Sequence, residues 1–164
     1  MKELHPLYRF VLLILVLAIL SFAWTRVHAQ HQHPEGGAAP AKLSLDNGKK
    51  WPADAPLRQG MTRIRDVVQA KLPAIHAGKL DDAGYGALAG KINGEIGVIV
   101  QNCRLEPKAD AMLHLILAGM IAGAEIMEGK RAGTARHEGA AKILTALNEY
   151  GTYFDHPNWK SPKH

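Results

Sequence analysis

The stretch "LRQGMTRIRDVV", residues 57–68, sets Leu57, Met61, Ile64 and Val68 at spacings of four, three and four. Only an α-helix with one apolar face brings those positions together, because 3.6 residues complete a turn. Met61 stands second in that row. A thioether there serves either as pliable core filling or as a soft ligand, and the surrounding sequence frames the choice.

The row extends outward. Asp54 suits the N-cap, Pro56 the first turn, and Leu72 and Ile75 continue the inward face, so the spacing predicts a helix over 55–75 that Pro73 kinks or shortens. "HAGKLDD" reads as a turn, with Gly78 as a C-terminal stop and Asp81 or Asp82 capping the next helix. That second helix places Tyr85, Leu88, Ile92, Ile96, Ile99 and Cys103 on one face. After "RLEP", Pro107 opens a third, apolar almost all round, with Leu113, Ile116, Met120, Ala124 and Met127 inward. "EGKRAG" turns the chain, Thr134 is the expected cap, and a fourth helix runs to about Asp155 with Ala140, Leu144, Leu147, Gly151 and Phe154 inward, until Pro157 ends it. No strand signal stands out. Four helices joined by short turns predict an all-α, antiparallel, up-down-up-down four-helix bundle over residues 53–156, followed by a tail, 157–164.

Upstream, "MKELHPLYR" is basic, "FVLLILVLAILSFAW" is apolar, and "TRVHA" brings short side chains. That order is the pattern of a secretory signal peptide over residues 1–29. The apolar run is fifteen residues, shorter than the roughly 20 that span a bilayer. The expectation is a periplasmic protein, the alternative an uncleaved segment anchoring it to the inner membrane. Residues 30–52 read as a flexible leader, of which 30–50, rich in Gly, Pro and Ala, are expected to hold no core residue. Its "HQH" at 31–33 makes at most a weak metal site.

Residues 1–29 carry Lys2, Arg9, Arg26 and Glu3, so removing them lowers the formal charge from +5 to +3. With no Lys/Arg stripe interleaved with aromatics, nucleic acid is not an expected partner. Cys103 is the single cysteine, which excludes an internal disulfide. No nucleophile–base pair, no carboxylate pair at functional spacing and no phosphate-cradling loop is present, and "GYGALAG" lacks the G-x-G-x-x-G fingerprint. An enzyme is not expected.

In the predicted topology, the start of helix one, the end of helix two, the start of helix three and the end of helix four share one end. Met61, Cys103, His114, Tyr150, Gly151 and His156 fall near it. With "LRQGMTRIRDVV" and "AAKILTALNEYGTYFDH" (140–156), residues 53–156 resemble the cytochrome b562 family, periplasmic four-helix bundles. That family holds haem b between an axial Met near the start of helix one and an axial His near the end of helix four. The resemblance implies haem b binding and electron transfer with a redox partner, and makes Met61 the axial thioether. It departs where it matters: Thr152 stands where the axial His belongs, and His156 comes one turn later. The absence of C-x-x-C-H excludes covalent haem attachment.

Gly151, on the inward face, would leave a gap able to admit a haem edge. His114, with Asp110 one turn before it to orient the ring, is the other candidate ligand, and Met61 with His114 would make a metal site, copper being the alternative to haem b. The plainer readings are core filling for Met61, a boundary histidine at 114, an exposed residue at 156 and a buried, inert thiol at 103. The glycines of helix two (84, 86, 90, 94, 97) and "GMIAG" at 119–123 predict a close backbone approach, either inside the bundle or between two copies in a homodimer. A cofactor-free helical module for protein–protein interaction is the competing function.

Overall fold

The computed structural model describes residues 42–162. The expected signal peptide (1–29), the expected leader as far as residue 41, including "HQH", and residues 163–164 lie outside them. Among the described residues the chain is mostly helical: β1 (Trp51–Pro52), α1 (Ala55–Gln69), α2 (Leu72–His76), α3 (Asp82–Asn102), α4 (Pro107–Met127), α5 (Arg136–Tyr153) and β2 (Phe154–Asp155).

Asp54 starts α1 by accepting the Leu57 N–H at 2.9 Å, with Pro56 in the first turn. Its second carboxylate oxygen accepts the Arg104 N–H at 2.6 Å, which ties the start of α1 to the loop between α3 and α4. The expected helix 55–75 is in fact two. Proline at 73 has no N–H to offer the carbonyl of Gln69 and its ring crowds that carbonyl, so α1 stops at Gln69 and Pro73 opens the short α2. Gly78 (φ +63°) then takes the left-handed conformation that ends it. Asp81 caps α3 through the Gly84 N–H at 2.8 Å. At α5 the expected cap, Thr134, is displaced by Ala135, whose N–H is held by Glu138 Oε1 at 3.2 Å.

The inward rows read from the spacing form one core. Leu57, Met61, Ile64 and Val68, Tyr85, Leu88, Ile92, Ile96 and Ile99, Leu113, Ile116, Met120, Ala124 and Met127, and Ala140, Leu144 and Leu147 are all buried in it. In this core α1 packs on α3, α3 on α4, and α4 on α5. Gly60 of α1 lies directly beneath Ile99 of α3, where even a methyl group would collide. The closest approach is between α4 and α5: a Cβ on Gly123 would stand 2.8 Å from the Gly139 carbonyl oxygen, and one on Gly139 would meet the Gly123 carbonyl and stand 2.8 Å from the Met127 nitrogen. Gly86, Gly90, Gly94 and Gly97 of α3 face open space instead. Helix α4 is long and apolar enough to cross a membrane by length and composition alone, and here its apolar rows are packed between α3 and α5.

Two expectations about the ends are corrected. Residues 51–52 do not belong to a flexible leader: Trp51 is 8% exposed, its indole N–H donates to the Ser44 carbonyl at 2.7 Å, and β1 pairs in parallel with β2, Trp51 opposite Phe154. Nor does the last helix reach Asp155. It ends at Tyr153 because Phe154 turns to extended backbone (φ −112°, ψ 140°) to make that pairing. Lys50 adds a bond from Nζ to the Gly151 carbonyl at 2.6 Å. Both ends of the folded unit are thereby clasped together.

Candidate functional site

The densest grouping of polar and aromatic side chains lies at this clasp, where α5 runs out and the chain turns back across its own end. Asn158, in the left-handed region (φ 61°), makes the turn possible, and the strap 156–162 folds over the helix. Residues 157–164 are therefore not a free tail as far as they are described, since Trp159 is half-buried and Pro162 buried.

Tyr150 is the hub. It is fully buried, stacks on Phe154 with ring centres 5.5 Å apart, and meets Trp159 edge-on at 4.8 Å and His156 edge-on at 5.8 Å. Its hydroxyl lies 2.9 Å from His156 Nδ1, its one hydrogen-bond partner among the described residues. The phenol therefore donates and Nδ1 accepts, which places the proton of the neutral imidazole on Nε2. Burial pushes the Tyr150 phenol far above its ordinary range, so it stays a donor at any physiological pH. Trp159 in turn donates from Nε1 to Ser161 Oγ at 3.0 Å and carries the Arg65 guanidinium 5.2 Å from its ring centre.

Gly151 now has a different explanation. A Cβ there would stand 2.6 Å from both Cδ1 and Nε1 of Trp159, so the glycine makes room for an indole from its own chain, and the gap expected beside it is filled. His156, expected beyond the helix end, is half-buried and held by Tyr150. Thr152 bonds the Asn148 carbonyl from Oγ1 at 2.9 Å.

Met61 is completely buried, as a core residue would be. His114 stands in solvent, its side chain 62% exposed, with Nδ1 2.9 Å from the Asp110 carbonyl oxygen and 3.3 Å from the Asp110 carboxylate. The expected joining of Met61 and His114 in one metal site is corrected by this placement: Leu113 points to the core, and the 100° step to the next residue swings His114 outward. Cys103 closes α3, half-buried where a buried thiol was expected, and burial raises its thiol pKa. Among the described residues, no three His, Cys, Asp or Glu side chains converge as a metal site would require. Nor do the candidate residues fit haem as packed: the thioether is sealed in, the space at Gly151 is taken, and His156 Nδ1 is engaged.

No family model, curated protein or solved structure matches the chain. The site therefore rests on its own geometry. The residues that sequence reasoning passed over are Trp159, Arg58 and Arg65. One signal pointed to the first, a lone tryptophan eight positions after a glycine on an inward face.

His156 makes the clasp sensitive to acid. Burial lowers its pKa, and the positive charges of Arg58 and then Arg65 lower it further against the opposing pull of Asp155. With the folded value below the unfolded value of about 6.5, the unfolded chain takes up the proton first. The stabilisation from neutral His156 is full above about pH 6.5 and is lost as pH falls through the lower folded value. Thermal melts from neutral to mildly acidic pH should show wild type losing more of its midpoint than His156→Gln; parallel losses would refute the assignment.

Proposed function

We propose that the chain is an exported, periplasmic protein whose helices form an up-down-up-down four-helix bundle, and that it works as a cofactor-free binding module rather than as a haem carrier or an enzyme. The order of charge and apolarity in residues 1–29 supports export. The bonds that gather the start of α1, the α3–α4 loop and the end of α5 at one end support the bundle topology. The observation that carries the reading is Trp159: the space that a haem edge would enter beside Gly151 is filled by an indole, which the Tyr150 ring meets edge-on and the Arg65 guanidinium overlies.

The test is an absorption titration with haemin on the mature protein. Wild type is expected to give no saturable Soret band. A saturable band that disappears in Met61→Leu, a swap of similar volume that the core tolerates at under about 1.5 kcal/mol, would overturn the reading and restore electron transfer as the function.

A further inference from the structure

Outside the clasp, α1 and the strap border a groove. Arg58, Thr62, Arg65 and Gln69 recur at spacings of four, three and four and so form one stripe of α1. The groove is lined by Arg58, Gln59, Thr62, Arg63 and His156, and a second, separate hollow by Arg65, Gln69, Asn158, Lys160 and Ser161. No carboxylate lines either.

The donors are not equally free. Arg63 is paired with Glu95 at 2.7 Å, and Arg65 with Asp66 at 2.7 Å. Arg58 differs: its side chain's only bond among the described residues is from one terminal nitrogen to the Ala53 carbonyl, so most of the five guanidinium N–H groups remain available. His156 adds its own donor, because the Tyr150 hydroxyl occupies Nδ1 and leaves the proton on Nε2. The charged and titratable groups facing that ring are Arg58 and Arg65 from α1, Asp155 from β2 and Tyr150 from α5. Two cations and one anion around a ring that can itself become a cation make a place that lacks negative charge.

We propose that this groove binds a compact oxyanion, the phosphate or carboxylate group of an acidic ligand, gripped by the Arg58 guanidinium and His156 Nε2–H while Arg65 and Lys160 attract it. The proposal deepens the binding-module reading and rests on it for its biological meaning. A planar guanidinium matches two oxygens of either group, which a lysine does not. Linkage sets the pH behaviour. A bound anion favours the imidazolium, and protonation of His156 must favour the anion by the same factor, so affinity for an anion of fixed charge rises as pH falls.

The experiment is calorimetric titration of the full mature chain with inorganic phosphate and, separately, with citrate, at constant ionic strength and at neutral and mildly acidic pH. Wild type is expected to bind saturably and, with the anion's own titration accounted for, more tightly in acid. Phosphate alone, citrate alone or both will identify the group recognised. Arg58→Gln should weaken binding about tenfold, the effect of losing one charge-assisted contact. Arg58→Lys, which keeps the charge but not the fork, should fall between. His156→Gln should remove the part of the pH dependence that the anion's own titration does not account for, while retaining weakened binding at neutral pH. Circular dichroism melts of each variant separate lost binding from lost folding, and Arg65→Gln serves where Arg58→Gln does not fold. No saturable binding of either anion, or binding unchanged in a folded Arg58 variant, overturns the groove. That outcome is distinct from failure of the module reading, which a Met61-dependent Soret band would signal whether or not phosphate binds.

Discussion

Replacing Phe154 with alanine is expected to remove about 3–5 kcal/mol of stability, the cost of deleting a buried phenylalanine whose surroundings cannot collapse. The ring is fully buried and stacked on Tyr150, which Trp159 and His156 brace from other sides. The neighbours are rigid aromatics that fill a gap poorly, which places the loss high in that range. Against a total of about 5–15 kcal/mol for a domain of this size, the variant should denature at a much lower urea concentration with the same slope. A loss under about 1 kcal/mol would mean that the clasp is an ornament on a core complete without it.

The second large effect has a sign that helix propensity alone gets wrong. Alanine is better than glycine in a helix by about 1 kcal/mol, yet Gly139→Ala is expected to cost about 1–3 kcal/mol, because overpacking drives apart helices whose backbones touch. The new methyl would run into the Gly123 carbonyl and the Met127 nitrogen, neither of which can turn aside as a side-chain tip would. Gly90→Ala and Gly94→Ala, where nothing lies within 4 Å, should instead each gain up to about 1 kcal/mol. Equal responses at Gly139 and Gly90 in matched denaturation curves would refute the close approach of α4 and α5.

The same contrast shows how much was legible in the sequence. The rows through Met61, Ile92, Met120 and Leu144 could be read because burial imposes a period of 3.6 on neighbouring residues, and that period survives any detail of packing. The caps at Asp54 and Asp81 were legible for the same reason, being bonds across three residues. The features that escaped were long-range. Lys50 and Gly151 are bonded across 101 positions, and the two-residue strands at 51 and 154 are too short to show alternation. Gly151 was seen to leave space, but the occupant, Trp159, lies beyond a proline in a segment with no period. His114, one 100° step around the helix from Leu113, was legible as a flank residue, and it stands in solvent. Among the five glycines singled out in helix two, none makes the closest backbone contact. The tight pair is Gly123, in the "GMIAG" expected to pack closely, and Gly139 at the start of the last helix.

The parallel sense of the β1–β2 pairing bears on how the protein resists force. When a chain is drawn by its two ends, tension enters at the N-terminal side of Trp51 and leaves at the C-terminal side of Asp155. In parallel strands those points lie at opposite ends of the ladder. The load therefore falls on all of the ladder's hydrogen bonds at once, in shear, instead of peeling them one after another. The helices behind the clasp carry no tension until it yields, so a protein tethered at one end and bound to a partner at the other would hold as a short, stiff link and then lengthen abruptly.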